Sequence, residues 1–135
     1  MTKEEIHQAF IDTNFIVSLP DEKSIVLKVN RTSEELELQF PELKSWCYIT
    51  AWNPLPDTLE LVENQKRNKQ LEHDIQNLSL EYLNGIGVSA DGNWSEESLL
   101  ILNCPFTTAK ELCAKYKQLA IVFGERNKIN QLIYV

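Results

Sequence analysis

The sequence feature that most constrains the fold is an aromatic segment at residues 46–54, which reads WCYITAWNP. Aromatic and β-branched residues in alternation predict a β-strand. Because most side chains on both faces are apolar, we predict a strand that is covered on both sides. One face carries Cys47, Ile49 and Ala51, and the other carries Trp46, Tyr48, Thr50 and Trp52.

Turn and cap residues follow this strand. We expect Pro54 to end the strand, because proline has no backbone N–H to donate to a neighbouring strand. A short loop is then expected at Pro56 and Asp57. Asp57 together with Glu60, or Thr58 nearby, is suited to cap the start of a helix.

That helix has a polar interruption on its predicted buried face. Leu71, Ile75 and Leu78 recur at helical spacing and mark the face that should turn inward. The same spacing, continued toward the N-terminus, falls on Asn68 and Asn64. An unpaired buried amide costs about 1–3 kcal/mol, so these side chains need partners.

A polar pocket at the strand end and helix start is the candidate site. Asn53 is the expected neighbour of the two helix amides, and the arginine beside them is suited to an anionic group. The alternative is an internal hydrogen-bond network that only fixes this corner, which is the commoner role of buried polar groups. Both interpretations stay open at this point. The candidate ligand-binding residues are Trp52, Asn53, Asn64, Arg67, Asn68 and Glu97.

The rest of the chain predicts an α+β fold. From residue 46 onward the expected order is β-α-β-β-α-β-β, and its first six elements follow the ferredoxin-like plan. We therefore predict a single domain over residues 1–135. An N-terminal helix and β-hairpin occupy residues 1–45, and the α+β core with an extra C-terminal strand occupies 46–135. That plan leaves one sheet face open, so the N-terminal extension or a second copy in a homodimer must cover Trp46 and Tyr48.

Three local expectations concern the second half of the chain. Gly85 and Gly87 in a predicted strand indicate a bulge or bend. Thr108 and Glu111 form a capping box for a second helix. That helix is expected to run to about Leu119.

Charge and cysteine content exclude several classes of function. A net charge of −7, from 13 basic and 20 acidic residues, argues against nucleic-acid binding. The acidic, polar N-terminus and the absence of a long apolar run predict a cytoplasmic protein without a membrane segment. Cys47, Cys104 and Cys113 lack metal-site spacing and are interpreted as small buried hydrophobes in a reducing compartment. His7 and His73 are isolated in the sequence, so we expect no metal and no cofactor.

Catalysis is the alternative to a binding or interaction module. A small hydrolase or nucleotide-processing enzyme would use Glu63 or Glu97 as a general acid or base, provided that burial raised its pKa. Glu96 and Glu97 point to opposite faces of a predicted strand, so at most one of them faces inward. With no catalytic motif in the sequence, we favour a non-catalytic module.

Four segments of the sequence resemble one family. They are residues 49–54 (ITAWNP), the helix positions Glu63-Asn64, Asn68 and Leu71, residues 92–97 (GNWSEE) and residues 118–120 (QLA). As a set they resemble the bacterial domain-of-unknown-function family 3293. The resemblance implies a shared fold and a shared polar corner, and it implies no activity, cofactor or catalytic residue.

Overall fold

The computed structural model describes residues 1–54 and 57–135, so the expected loop residue Pro56 lies outside the described part. The helices are α1 (Lys3–Asp12), α2 (Glu34–Gln39), α3 (Leu61–Asn77) and α4 (Phe106–Lys115). The strands are β1 (Asn14–Ser18), β2 (Ser24–Leu27), β3 (Ser45–Ile49), β4 (Tyr82–Val88), β5 (Ser95–Leu102), β6 (Ala120–Glu125) and β7 (Gln131–Tyr134). The prediction of an α+β protein is confirmed.

The seven strands form one curled antiparallel sheet in the order β2-β1-β4-β5-β3-β6-β7. This order differs from a four-stranded ferredoxin-like sheet, because the N-terminal hairpin extends the sheet beyond β4 and β7 extends it beyond β6. The two edges meet where Val29 bridges Asn130. The Asn130 side chain also accepts a hydrogen bond from Trp46 Nε1 at 2.9 Å and donates to Lys28 O at 3.1 Å. Asn130 therefore ties the two edges to the central strand.

Each face of the sheet has its own apolar core. α3 and α4 cover the outer face, where Cys47 and Ile49 of β3 pack with Leu71 and Ile75 of α3. The sheet curls over its own inner face, so side chains from several strands pack together there. Leu36 of α2 belongs to this inner core, and Phe10 of α1 packs against it. The central strand is thus covered on both sides, as its apolar pattern predicts.

The inner face is not available to a second subunit. Trp46 has no exposed surface and Tyr48 is 4% exposed, since the chain itself covers both rings. A homodimer through this sheet face would need those rings to be exposed before association. Of the two covers expected for this face, the N-terminal part of the chain supplies one, with Phe15 and Leu27 packed in the same core as Trp46 and Tyr48.

The end of β3 and the beginning of α3 also differ from expectation. β3 ends at Ile49, before Pro54, because the backbone beyond it bonds to side chains of α3 instead of to a neighbouring strand. Asn53 adopts a positive φ of 46°, which strand pairing does not allow. In the described part of the chain, α3 begins after Glu60 without a side-chain cap. Leu78 is 50% exposed, because the helix ends one residue before it.

Both expectations about the second helix are also wrong, and of the bulge or bend expected in β4 the bulge does not occur in the described strand. α4 begins at Phe106, so Thr108 lies inside the helix and does not cap it, and the helix ends at Lys115. β4 pairs with β5 one residue to one throughout, so neither glycine makes a bulge. At Gly85 a Cβ would lie 2.5 Å from Ile16 O and 2.8 Å from Tyr48 Oη, so this position needs glycine for close packing.

Candidate functional site

The predicted polar residues do meet at the end of β3. We call this group the polar corner: residues 50–53 after β3, together with Asn64, Arg67 and Asn68 of α3. Asn64 and Asn68 share the buried face of α3 with Leu71 and Ile75, as helical spacing predicts. Both asparagines are less than 10% exposed, so their amides need partners inside the protein.

Both asparagine amides bind the backbone after β3. Asn68 Oδ1 accepts from Ala51 N at 2.8 Å, and its Nδ2 donates to Glu97 O at 2.8 Å. Asn64 Oδ1 accepts from Asn53 N at 2.8 Å, and its Nδ2 donates to Asn53 Oδ1 at 2.9 Å. These bonds replace the strand pairing that ends at Ile49, and they fix the path of the chain between β3 and α3.

Arg67 and Gln118 complete the polar corner from two further directions. Arg67 Nε donates to Ala51 O and its Nη2 donates to Tyr116 O, each at 2.7 Å. The guanidinium also lies 5.5 Å from the centre of the Tyr116 ring, within the range of a cation–π contact. Gln118 Nε2 donates to Trp52 O at 2.8 Å and to Tyr116 O at 3.2 Å. Arg67 therefore binds backbone carbonyls of the protein.

Two of the predicted acidic residues lie on the surface. The Glu97 side chain is exposed, and the residue joins the polar corner through its backbone oxygen, which accepts from Thr50 and Asn68. The Glu63 side chain is 57% exposed and lies 3.6 Å from Lys66. Neither carboxylate is buried, so neither lies in the enclosed cleft that was expected of a general acid or base.

A cavity of about 260 Å³ lies beside the polar corner. Its walls come from α1 and β1, from β3 and the residues after it, from β4 and β5, and from residues 118–122. Thr50, Asn53 and Gln118 belong both to the polar corner and to this lining. The apolar and aromatic lining residues include Ile6, Phe10, Phe15, Tyr48, Trp94 and Leu119.

Among the described lining residues, Glu96 supplies the one carboxylate of this cavity, which we call the Glu96 cavity. Among the described residues, the Glu96 Oε2 atom is buried and has no hydrogen-bond partner. Burial raises the pKa of this carboxyl to about 7, because removal from water disfavours the charged form. Gly87 lies directly across the ladder from Glu96, so no side chain there fills the space next to the carboxylate.

The sequence-based choice of Glu97 thus missed the buried member of the pair. Glu96 lies on the inner face of β5 with Leu100, whereas Glu97 lies on the outer face with Leu99 and Ile101. Alternation predicts that the two glutamates face opposite ways. Gly87 lacks a side chain and therefore leaves space next to Glu96. This could be predicted from the sequence only if the pairing of Gly87 with Glu96 were known.

Trp52 contributes to the polar corner through its backbone. Its carbonyl accepts from Gln118, and its N–H donates to Thr50 Oγ1 at 3.1 Å. The indole Nε1 is buried without a hydrogen-bond partner among residues 1–54 and 57–135. Trp52 is not part of the Glu96 cavity lining.

The three cysteines lie in the outer core. All of them are buried and free. Burial raises the pKa of the Cys113 thiol to about 11, so this thiol stays protonated at neutral pH. No group of three or more potential metal-binding side chains occurs in the described ranges. Within the same ranges, no helix has the length and apolar character needed to cross a membrane.

The chain was compared with protein families, curated proteins and solved structures. Residues 49–121 match the model of a family described as a protein of unknown function, DUF3293. The chain belongs to the DUF3293 family. The matched part of this DUF3293 chain contains the polar corner and Glu96, whereas α1 and β1 lie before it. No curated protein and no solved structure gives a significant match to the chain.

Proposed function

We propose that this DUF3293 protein is a small-molecule-binding module and that the Glu96 cavity is its site. The observation that carries the proposal is the buried, unpartnered Oε2 of Glu96 at an apolar cavity. A buried acceptor without a partner costs free energy, and a ligand that donates a hydrogen bond to it would remove that cost. Apolar lining with a few polar groups is typical of small-molecule sites.

The polar corner has a supporting role in this proposal. The predicted ligand-binding amides of Asn64 and Asn68 are bound to the backbone, and Arg67 is bound to two carbonyls. These residues hold the wall of the cavity that Thr50 and Asn53 form. The site therefore lies next to the residues chosen from the sequence, with Asn53 common to both.

A neutral aromatic probe tests the proposal. A molecule of benzene size fits a cavity of about 150 Å³, so benzyl alcohol should enter a cavity of about 260 Å³. We expect saturable shifts of the Gly87 and Glu96 amide signals in NMR titrations of the full chain. In Gly87→Val the new side chain occupies the cavity and should abolish those shifts. No saturable shift in the wild-type protein would contradict the proposal.

A general acid–base enzyme is the second candidate, with Glu96 in place of Glu63 or Glu97. The observation that favours it is the pKa of Glu96, which burial brings to about 7. A carboxyl that titrates near neutral pH is suited to donate and accept protons in catalysis. The binding module predicts that bound ligands are recovered unchanged, whereas the enzyme predicts product formation that Glu96→Gln abolishes.

We further propose a ferredoxin-like unit within the larger sheet, in a single cytoplasmic domain of a bacterial protein. The middle strands, in the order β4-β5-β3-β6, support the first part. α3 connects β3 to β4, and α4 connects β5 to β6, as in the β-α-β-β-α-β plan. Three free, buried cysteines support a reducing compartment.

A further inference from the structure

We infer that the Glu96 cavity binds a small amine whose positive charge is attached to an apolar, preferably aromatic, body. This inference rests on the proposed function, because it names the ligand class of the same site. Three features of the lining carry it: its charge, the direction of its hydrogen bonds and its aromatic content.

The charge of the lining favours a cation. Glu96 is the one acidic residue among the described residues that line the cavity, and none of the others is lysine, arginine or histidine. His7 of α1 is bound to Tyr134 Oη at 2.8 Å, and neither residue belongs to the lining. A protonated amine would meet a carboxylate in a site where no basic side chain competes for it.

The hydrogen bonds of the lining favour a donor ligand over an acceptor ligand. Every hydroxyl group in the described lining already donates to a backbone carbonyl. These bonds run from Thr13 to Ala9, from Tyr48 to Ile16, from Thr50 to Glu97 and from Ser98 to Glu96, at 2.6–3.0 Å. The Gln118 amide likewise donates to two carbonyls. The cavity thus presents a buried free acceptor, Glu96 Oε2, whereas these donors are already used. The other side-chain N–H groups of the described lining, on Asn53 and Trp94, are not among its buried unpartnered atoms.

The aromatic residues complete the match to an amine with an apolar body. Phe10, Phe15, Tyr48 and Trp94 all contribute to the lining. Ring faces attract cations, and tryptophan does so most strongly. Trp94 is 49% exposed, so it lies where a ligand can enter from solvent. A flat hydrocarbon body would pack against these rings while its ammonium group reaches Glu96.

Three probes of equal size and different charge test this inference on the full chain at pH 8. They are benzylamine, benzyl alcohol and benzoate, titrated by NMR against the wild type, Glu96→Gln and the control Glu97→Gln. We expect benzylamine to bind about tenfold more tightly than benzyl alcohol, and benzoate to bind more weakly than both. Glu96→Gln should reduce the preference for the amine to about twofold or less. Glu97→Gln should retain the full preference, because the Glu97 side chain is exposed.

The outcomes separate this inference from the proposed function. If benzyl alcohol binds and benzylamine binds no more tightly, the amine assignment is overturned and the binding module stands. A preference for the amine that persists in Glu96→Gln also overturns the assignment. If none of the probes produces saturable shifts at the cavity, both proposals fail.

The pH dependence supplies a second readout. The preference for benzylamine should grow between pH 5 and pH 8, because Glu96 loses its proton in this range while the amine remains charged. Tyr48 is the other titratable group in the described lining, and burial raises its pKa further above this range, so it stays neutral. A preference of equal size at pH 5 and pH 8 would overturn the assignment to Glu96.

Discussion

The polar corner and the Glu96 cavity are neighbours that share Thr50, Asn53 and Gln118, yet their buried polar groups differ in hydrogen bonding. In the polar corner, the amides of Asn64 and Asn68 are hydrogen-bonded on both their oxygen and nitrogen atoms, to the backbone and, for Asn64 Nδ2, also to Asn53 Oδ1. In the cavity, one oxygen of Glu96 is buried with no partner in the described part of the chain. The difference teaches that burial of a polar side chain does not by itself indicate a binding site. The proposed site rests on a further feature, an unfilled hydrogen-bond position beside open space.

The largest effect that tests this comparison is expected at Asn68. Asn68→Ala leaves the buried Ala51 N–H and the Glu97 carbonyl without this partner. Each buried group that loses its hydrogen-bond partner costs about 1–3 kcal/mol, so we expect the free energy of unfolding to fall by about 3 kcal/mol. Urea denaturation measures the loss.

Gln65→Ala is the matched control for this prediction. Gln65 lies on the exposed side of the same helix, so its removal should change the free energy of unfolding by less than about 0.5 kcal/mol. Equal losses for the two variants would show that Asn68 does not hold the polar corner. Its amide would then be free for another role.

The second effect concerns the charge of Glu96. The pKa of this carboxyl is about 7 in the folded protein, above its value of 4.5 in the absence of burial. The folded state therefore binds the proton more tightly, and stability falls as the pH rises from about 4.5 through 7. Glu96→Gln removes this loss. We expect it to raise the free energy of unfolding by about 2 kcal/mol at pH 8, with little change at pH 4.

Glu97→Gln provides the control for this pH dependence. The exposed Glu97 carboxylate is next in the sequence and faces the other way, so its replacement should alter stability equally little at both pH values. Thermal denaturation between pH 4 and pH 8 compares the two variants. If they respond alike, the cavity does not distinguish Glu96 from a surface carboxylate.

The smallest effect is expected at Gln118, where the two regions meet. Gln118→Ala removes the hydrogen bonds to Trp52 O and Tyr116 O, both of which remain partly accessible to compensating contacts. Tyr116 O also keeps its bond from Arg67. We expect a loss of about 1 kcal/mol in urea denaturation. A loss as large as that of Asn68→Ala would mean that residue 118 is as central to the corner as the helix amides.

The helix amides could be predicted from the sequence, and the buried carboxylate could not. Helical spacing fixes Asn64 and Asn68 relative to Leu71 and Ile75 within one rigid element, so local geometry is enough. For β5, alternation separates Glu96 from Glu97, but both faces of this strand are buried from Ser98 onward. The glutamate that lines the cavity is the one on the concave face of the sheet, and the sequence does not show which face is concave.

The extents of the elements show the same limit. The end of β3 was expected at Pro54. The strand ends at Ile49 instead, because the backbone N–H of Ala51 donates to the Asn68 side chain of α3. The capping box at Thr108 was a local pattern that did not determine the start of α4. In both cases a local signal was outweighed by contacts between elements that are distant in the sequence.

The sequence by itself determined the α+β class, the two-sided burial of the aromatic strand, the inward asparagines and the family. These follow from side-chain periodicity and from motifs that lie within single elements. Only the tertiary structure decided that the sheet curls until Val29 meets Asn130, and that this curl buries Tyr48 and turns Glu96 toward a cavity. The physical reason is that strand twist and pairing between remote segments set the curvature of the sheet, and no local pattern records them.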